Sequence, residues 1–477
     1  MTERPLVLDV DGTYLKTDLL MENFWAGLGT DPLRTLGLSF ALWRRPERLK
    51  AALAEVAELQ MDLMPVHEDI AAMAAEAVSE GRDVVLASAS NEALVRELAE
   101  YKDLPETILA STSEVNLKGA AKAGALVDAF GEGGFDYAGN APVDAKVWAH
   151  AHTAIMVGAQ PKVAANLIAE GKQVIEVEGG WAWRDLIRAF RPHQYVKNIL
   201  LFLPVIAAHD FTLATLMWVL LGIASFSAAA SSIYVVNDLL DLEADRLHAT
   251  KCNRPFASGA VPIAVGMAGC IGLGIFALGV AACLGAAFFG VIVLYMVLSL
   301  AYSLKLKRMR WVDVATLASL YTLRVVAGAA ASAVSVSVYM LIFIFPIFLT
   351  LGCVKRLTEL AHVETDARLP GRGYGRLDRP DLLNVAGLGV FGAVLIFFLY
   401  SFSEHAMGLY PTRWILWLTL PFIAFWLIRM VQIGWRGEMD YDPIVFALRD
   451  KIGIGVLCFT LSLMFYAAGL WAEWFGV

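Results

Sequence analysis

The sequence predicts two domains: an N-terminal α/β domain with a parallel sheet, then an all-helical membrane domain. The chain has 477 residues, of which 58% are hydrophobic, and a mean hydropathy of +0.59. Soluble globular proteins contain less apolar sequence. The apolar residues are also unevenly distributed. Residues up to Val177 have a mixed composition, whereas long apolar runs dominate from Val196 onward.

The N-terminal domain, residues 1–178, begins with a short apolar strand. This strand leads directly into an Asp-X-Asp-Gly-Thr motif that starts at Asp9. A second apolar strand, residues 83–87, leads to Ser88. The helical stretch between them, residues 15–80, predicts a small cap. The order of strands and helices predicts a parallel sheet with helices on both faces.

The membrane domain, residues 196–477, is predicted to contain nine spanning helices, because its apolar runs approach the roughly 20 residues needed to cross a bilayer. The predicted spans are residues 196–208, 211–236, 260–283, 285–301, 312–331, 338–354, 382–402, 414–428 and 452–471. Residues 179–195 link the domains, and their Trp- and Arg-containing part favours an interfacial helix.

Lys and Arg concentrate in alternate loops of the membrane domain. The positive-inside rule therefore predicts that the N-terminal domain is cytoplasmic, with the C-terminus on the opposite face of the plasma membrane. The ionisable clusters all fall on the cytoplasmic face, and the sequence shows no internal repeats, which argues against a transporter. The net charge of -8 argues against a nucleic-acid partner. The five cysteines show no CxxC pair and no zinc spacing.

The most informative segment follows the second predicted span. Asp238, Asp241 and Asp245 are spaced i, i+3, i+7, which places three carboxylates on one face of a helix. Such a cluster needs a cation, and oxygen ligands suit Mg²⁺. Basic residues that suit phosphate oxygens follow directly: Arg246, His248, Lys251 and Arg254. The segment therefore predicts a diphosphate site, and the alternative is a solvated loop between two membrane helices.

Asn237 to Asp245 resemble the first aspartate-rich motif of the UbiA superfamily of intramembrane transferases. Further motifs resemble the decaprenyl-phosphate phosphoribosyltransferase family, over residues 191 to the C-terminus. They are residues 191–198, residues 245–251 with Arg254 and Pro255, Tyr302 with Lys307, residues 323–325 with Gly328, Lys355 and Arg356 with residues 359–360, and residues 447–451. The resemblance implies a nine-helix fold that transfers phosphoribose from phosphoribosyl diphosphate to a polyprenyl phosphate.

The resemblance also implies roles for individual residues. Mg²⁺ would be held by Asp238, Asp241 and Asp245, and would neutralise the diphosphate leaving group. The diphosphate or the 5-phosphate would be held by Lys251, Arg254, Lys355 and Arg356, and the lipid phosphate by Arg191, Lys197 and Lys307. The remaining predicted substrate contacts are Asn237, Tyr302, Asp313 and Arg324.

Two alternatives remain open at this point. The first is a prenyltransferase that moves a prenyl group from a polyprenyl diphosphate to an aromatic acceptor. Those enzymes carry a second pair of Asp residues four apart, but here Asp313 is followed by Leu317 at that spacing. The second alternative is a non-enzymatic lipid-binding or transport protein with a silent N-terminal domain, and the intact Asp238 motif disfavours it.

The N-terminal motif resembles the first motif of the haloacid dehalogenase (HAD) superfamily of phosphatases. The resemblance implies that Asp9 attacks phosphorus and that Asp11 acts as general acid and base. Ser88 would hold the phosphate, and Lys118 fits the lysine motif, with Lys122 as a close rival. Asp9 and Asp144 would hold Mg²⁺. Asn140 stands where that family most often has Asp, so a degenerate regulatory domain is the alternative.

Overall fold

The computed structural model describes residues 4–335, 337–363, 366, 368–369, 372–439 and 442–476. The chain forms two compact units. The first unit comprises Met1–Phe190 and Tyr234–Ile271, and the second comprises Arg191–Ile233 and Gly272–Val477.

The first unit contains a six-stranded parallel sheet, which confirms the predicted α/β architecture. Its strands are β1 (Leu6–Leu8), β2 (Val84–Asn91), β3 (Ile108–Ser111), β4 (Asp136–Gly139), β5 (Thr153–Val157) and β6 (Gln173–Val177), and their spatial order is β3-β2-β1-β4-β5-β6. Alternate residues of β1 point to opposite faces. Leu6 and Leu8 therefore join one buried cluster and Val7 another. Apolar clusters thus cover both faces of the sheet.

Nine helices belong to the N-terminal part of this unit. They are α1 (Leu19–Thr30), α2 (Pro32–Leu42), α3 (Pro46–Ala54), α4 (Glu68–Ser79), α5 (Glu92–Tyr101), α6 (Ala120–Phe130), α7 (Ala145–Trp148), α8 (Pro161–Ala169) and α9 (Trp183–Ala189). Asp18 caps α1 by accepting a hydrogen bond from the Met21 amide at 3.0 Å. Asp31 caps α2, where Pro32 occupies the first turn. Helices α1–α4 lie between β1 and β2, where the sequence predicted a helical cap.

The remaining helices follow α9. They are α10 (Leu203–Ala208), α11 (Leu213–Leu240), α12 (Leu242–Arg246), α13 (Ile263–Leu284), α14 (Ala286–Leu304), α15 (Arg310–Ser332), α16 (Val338–Ala361), α17 (Arg379–Tyr400), α18 (Glu404–Leu409), α19 (Trp414–Arg436), α20 (Pro443–Ala447), α21 (Lys451–Ala467) and α22 (Leu470–Phe475). Among the described residues, seven helices are long and apolar enough to cross a membrane: α11, α13, α14, α15, α16, α17 and α19.

The predicted count of nine spans is therefore not confirmed. The first predicted span folds as a 3-10 segment, Pro192–Phe202, followed by the six-residue helix α10. Proline occupies the first turn of each piece, and His209, with a left-handed backbone, ends α10. The ninth predicted span is the 17-residue helix α21, which is apolar but shorter than the other seven.

Helix α16 lies at the centre of the second unit's core. Its buried residues Leu351, Val354 and Leu357 belong to one cluster with Val314 of α15 and Leu427 of α19. Gly434 of α19 allows this close packing, because a Cβ there would lie 2.7 Å from Val354 Cγ1.

Candidate functional site

The N-terminal motif lies at the carboxyl edge of the parallel sheet, where β1, β2 and β4 end next to each other. Ligands of open α/β sheets bind at this edge. Asp11 Oδ2 accepts hydrogen bonds from Ser90 Oγ at 2.6 Å and Ser88 Oγ at 3.3 Å. Its Oδ1 accepts from the Leu19 amide at 2.9 Å. The structure thus brings Asp11 and Ser88 together, and Ser90 is a neighbour that sequence reasoning missed.

Lys122, rather than Lys118, is the lysine beside Asp9. Lys122 Nζ lies 2.7 Å from Asp9 Oδ1 and 3.1 Å from Tyr137 Oη, and it is buried. Lys118 is exposed. Lys118 precedes Gly119, whose φ of +59° turns the chain into α6, and Lys122 lies in the first turn of that helix. This placement supports the rival assignment that the sequence left open.

Asp144 is joined to Asp9 through two intervening side chains. Tyr137 Oη donates to Asp144 Oδ1 at 3.1 Å and accepts from Lys122. Asp144 Oδ2 accepts from the backbone amides of Asn140 and Ala141 at 3.2 and 2.9 Å. Asp144 is therefore held mainly by protein donors, which weakens its predicted role as a metal ligand.

The electrostatics of Asp9 suit a nucleophile that ionises near neutral pH. Burial raises the pKa of Asp9, the charge of Lys122 lowers it, and Asp144 and Asp11 raise it again, to about 7. A raised carboxyl pKa in a sheet-edge site is characteristic of catalytic positions. The site therefore contains one carboxylate beside a lysine, Asp9 with Lys122, and a second carboxylate, Asp11, that is bound by serine hydroxyls.

The aspartate-rich motif, also in the first unit, lies where α11 ends. The predicted single helix is interrupted at Asp241, the N-cap of α12, whose backbone has φ -107° and ψ 18°. Asp238 and Asp245 are both buried and converge on one arginine, because Arg254 Nη1 lies 3.1 Å from Asp238 Oδ1 and 2.6 Å from Asp245 Oδ2. The buried Asn237 Oδ1 has no hydrogen-bond partner.

This donor set fits a hard cation in part. Two carboxylates converge on one positive group, and the Asn237 amide oxygen is an additional candidate oxygen ligand. Within the described ranges, however, no three Asp, Glu, His or Cys side chains lie close enough together to hold a metal ion. Burial raises the pKa of Asp245, while Arg254 and Lys251 lower it less. Asp245 is therefore protonated more readily than an ordinary Asp, because the positive charge near it does not fully offset its burial.

Arg246, one of the predicted phosphate-binding cations, is used differently. Its guanidinium pairs with Glu22 of α1, with Nη2 2.6 Å from Oε1 and Nη1 3.2 Å from Oε2. Both side chains are buried, and Thr17 Oγ1 donates to Glu22 Oε1 at 2.6 Å. Arg246 Nε also donates to the Ala257 carbonyl at 3.2 Å. This pair holds α12 against α1, and local sequence carries no signal for it.

In the second unit, Asp313 is neutralised by arginines. Arg356 binds both Asp313 oxygens at 2.5 and 3.0 Å, and both side chains are fully buried. Tyr302 Oη donates to Asp313 at 2.9 Å and accepts from Arg356 and Arg372 at 2.9 and 3.0 Å. Glu359 also pairs with Arg356. The structure thus brings three predicted residues, Tyr302, Asp313 and Arg356, into one network and adds Arg372 and Glu359 to it.

A second polar cluster in this unit is rich in cations. Lys197 Nζ lies 2.5 Å from Asp442 Oδ2, and Tyr321 Oη donates to the same oxygen at 3.0 Å. Lys355 lies close enough to interact with the charges of Asp442 and Lys197. Burial lowers the pKa of His193. Three neighbouring cations lower it further: Arg191, Lys197 and Arg449. This region carries a positive field suited to an anion.

Two predicted residues lie elsewhere in this unit. Arg324 is buried, donates to Asn198 Oδ1 at 3.1 Å, and stacks on the rings of Phe226 and Tyr295 with its Cζ 5.1 and 5.3 Å from their centroids. Lys307 is half-buried in the short 3-10 turn Leu306–Arg308.

An apolar cavity of about 580 Å³ lies in the second unit. Its wall includes Ile199 and Leu200, which follow Lys197, and Ala447 and Leu448, which precede Arg449. Phe348, another wall residue, packs on the Tyr321 ring at 5.4 Å between centroids. Residues that line the apolar cavity therefore adjoin Lys197 and Arg449 along the chain, and one of them, Phe348, contacts Tyr321 of the cation-rich cluster.

The seven long apolar helices found among the described residues indicate an integral membrane protein. The sequence profile described as the UbiA prenyltransferase family matches residues 199–452, which is more than half of the chain. The chain therefore belongs to the UbiA prenyltransferase family.

The chain is also similar to individual proteins over different lengths. A protein of Sinorhizobium fredii named y4nM is 31% identical over 470 residues, covering 96% of this chain and 90% of that protein. Decaprenyl-phosphate phosphoribosyltransferase of Mycobacterium tuberculosis is 31% identical over 275 residues, covering 56% of this chain and 88% of that protein. Among solved structures, a UbiA homologue from Archaeoglobus fulgidus bound to GPP and Mg²⁺ covers 60% of this chain and 99% of that chain, with 17% identity and a TM-score of 0.45.

Proposed function

We propose that this chain transfers 5-phosphoribose from phosphoribosyl diphosphate to a polyprenyl phosphate, and that its N-terminal domain is a HAD-type phosphatase that removes the 5-phosphate. Both reactions are assigned to the cytoplasmic face of the membrane. The similarity to decaprenyl-phosphate phosphoribosyltransferase supports the donor and the acceptor. The observation that carries the proposal is the apolar cavity of the second unit, whose wall residue Phe348 contacts Tyr321 of the cation-rich cluster.

The acceptor fits this cavity by its two chemical parts. A polyprenyl chain is a long hydrocarbon, and the wall is dominated by Leu, Ile, Met and Phe side chains. A phosphate at its end would meet Lys197 and the neighbouring cations Arg191, Lys355 and Arg449. The lipid phosphate is already an anion and needs little help from a general base to attack the anomeric carbon.

The donor's diphosphate is assigned to the aspartate-rich motif. Asp238, Asp241 and Asp245 would hold Mg²⁺, with Asn237 as an additional oxygen ligand. When bound, the metal supplies positive charge for the departing diphosphate. Arg254 and Lys251 lie beside these carboxylates and can bind the phosphate oxygens directly.

The aromatic prenyltransferase alternative is disfavoured by the state of Asp313. A second metal-binding motif requires carboxylates that are available for a cation. Asp313 is fully buried and is already bound on both oxygens by Arg356. Its i+4 partner position is Leu317, which cannot ligate a metal.

The phosphatase assignment rests on the sheet-edge cluster. Asp9 would attack phosphorus, Lys122 would hold the phosphoryl oxygens near Asp9, and Asp11 would protonate the leaving oxygen. Water then releases phosphate from Asp9, and Asp11 takes its proton. In this domain Asp9 would hold Mg²⁺; Asp144 is the second ligand that the sequence predicts, and its bonds to Tyr137 and to two backbone amides would have to be shared with the metal.

The proposal is tested by incubating the purified protein with Mg²⁺, labelled phosphoribosyl diphosphate and polyprenyl phosphate, and by measuring label in the lipid phase. We expect lipid-bound label that disappears with EDTA. Lys197→Gln should raise the KM for polyprenyl phosphate about tenfold or more, because it removes a charge-assisted contact. Lys305→Gln, at an exposed lysine, is the matched control and should leave KM unchanged. Product from a polyprenyl diphosphate and an aromatic acid, with none from phosphoribosyl diphosphate, would replace this proposal by the aromatic prenyltransferase alternative.

A further inference from the structure

Helix α2 of the cap presents an apolar face to solvent. Leu33, Leu36, Phe40 and Trp43 are 85%, 52%, 85% and 65% exposed. Their spacing of three, four and three residues places them on one side of the helix. On the opposite side, Thr35 is buried and donates to the Asp31 carbonyl at 2.8 Å. Single exposed apolar residues are ordinary, but four in one stripe mark an interaction surface.

Four arginines lie within or directly after this segment of the chain. They are Arg34, Arg44, Arg45 and Arg48, and all are exposed. Arg44 lies over the Trp43 ring, with its Cζ 4.7 Å from the centroid. In the part of the chain that the structure describes, none of the four forms an ion pair. An apolar stripe with flanking Arg and an aromatic residue is the pattern of a helix that lies in a membrane interface.

The cap is attached to the ends of membrane-spanning helices within the first unit. Trp25 of α1 belongs to one buried cluster with Leu239 at the end of α11 and Ile263 at the start of α13. Helix α2 follows α1 after one residue, and Thr35 of α2 packs against Gly27 of α1. The α1–α2 hairpin is therefore anchored where two spanning helices begin or end, which is the depth of a bilayer surface.

We infer that the Leu33, Leu36, Phe40 and Trp43 face of α2 inserts into the headgroup layer of an anionic bilayer. The apolar stripe would enter the acyl boundary and the four arginines would bind lipid phosphates. A second copy of the chain fits this face less well, because its four unpaired arginines would be brought together or buried without partners.

Membrane insertion has a consequence for the N-terminal site, and this consequence rests on the proposed phosphatase activity. Lys50 of α3 donates to the Ala89 carbonyl, between Ser88 and Ser90, which bind Asp11. The cap that carries α2 therefore also contacts the sheet-edge site. A cap held at the membrane would place this site close to phosphates carried by lipids, which would favour them over soluble phosphate esters.

The location of α2 is tested on the full chain in vesicles of phosphatidylcholine and phosphatidylglycerol. Nitroxide labels at Leu36→Cys and Phe40→Cys, in a cysteine-free background, are compared with a label at Ile168→Cys. Ile168 is the matched control, since it is 60% exposed on α8 of the same domain. We expect the labels at 36 and 40 to be more accessible to oxygen than to a water-soluble nickel chelate, and the label at 168 to show the reverse.

Two results would overturn the inference. If the labels at 36 and 40 matched the label at 168, α2 would lie in water. If they instead showed strong dipolar broadening between copies, the face would be a protein interface. Neither measurement depends on enzymatic activity, so failure of the proposed phosphatase function would leave this test intact.

The functional consequence has its own variant. Leu36→Glu with Phe40→Glu should lower the dephosphorylation rate of lipid-borne phosphoribose about tenfold, because acidic residues oppose insertion. Hydrolysis of soluble p-nitrophenyl phosphate should be unchanged, as in the control Ile168→Glu. Equal loss on both substrates would show damage to the domain and would contradict selective access to lipid.

Discussion

Arg254 pairs with both Asp238 and Asp245 in the first unit, whereas Asp442 in the second unit lies among several cations. Burial raises the pKa of Asp245, and Arg254 only partly offsets it. Burial also raises the pKa of Asp442, but the charges of Lys197 and Lys355 outweigh burial, and the pKa falls to about 2. On the proposed function, the region around Asp245 is therefore cation-accepting and the region around Asp442 is anion-accepting. The same residue types therefore favour metal in one region and phosphate in the other.

The largest expected effect is on the cation-accepting region. Asp238→Asn should lower phosphoribosyl transfer by about a hundredfold or more, because it removes a charged metal ligand while Arg254 keeps its contact with Asp245. The measurement is label incorporation into lipid at saturating Mg²⁺. Asp381→Asn is the control, since Asp381 is exposed and pairs with Arg310 at the surface. Full activity in Asp238→Asn would contradict the assignment of this motif.

The second prediction separates the two proposed reactions. Asp9→Asn keeps the side-chain shape but removes the attacking carboxylate, so the lipid product should form and retain its 5-phosphate. Asp238→Asn should show the opposite pattern, with dephosphorylation of added phosphorylated lipid intact. Mass analysis of the lipid product distinguishes them. If the wild type and Asp9→Asn both give a 5-phosphorylated product, the N-terminal domain does not act on this lipid, and Asn140 would indicate a degenerate domain.

The third prediction tests whether Arg246 is structural, unlike Arg254. Glu22→Gln should destabilise the first unit by about 3–5 kcal/mol, because it leaves a buried guanidinium without its carboxylate. The double variant Glu22→Gln with Arg246→Met should recover much of that stability. Thermal unfolding of the purified protein checks both. Equal stability of wild type and Glu22→Gln would instead leave Arg246 available for phosphate.

The smallest expected effect concerns acid stability of the anion-accepting region. The folded-state pKa of Asp442 is about 2, below its usual 3.8, so its contribution is fully present above about pH 4 and is lost as the pH falls toward 2. The shift corresponds to about 2 kcal/mol. Unfolding of wild type and Asp442→Asn should therefore converge between pH 5 and pH 2. A constant stability difference across that range would contradict the ion pair with Lys197.

Local sequence predicted the parallel sheet and most of the long apolar helices of this protein. The apolar strand before Asp9 and the alternation of strands and helices after it predicted the parallel sheet. Short apolar runs separated by helices are the pattern of parallel strands. Among the described residues, seven of the nine predicted spans correspond to helices that are long and apolar enough to cross a bilayer, since length and hydropathy are both read from sequence. The count of nine is not confirmed, because Pro204 begins the short helix α10 inside the first predicted span, and α21, in the ninth, is only 17 residues long.

Only the tertiary structure decided which charged residues meet. The sequence could not choose between Lys118 and Lys122, because the turn at Gly119 determines which of them faces Asp9. It gave no sign that Arg246 pairs with Glu22, which is 224 positions away. Ion pairs form between side chains that packing brings together, and their separation along the chain carries no periodic signal. The residue types and their spacing thus determined the kind of chemistry available. The packing of helices determined the charges around each carboxylate, so that burial raises the pKa of Asp245 while neighbouring lysines lower the pKa of Asp442.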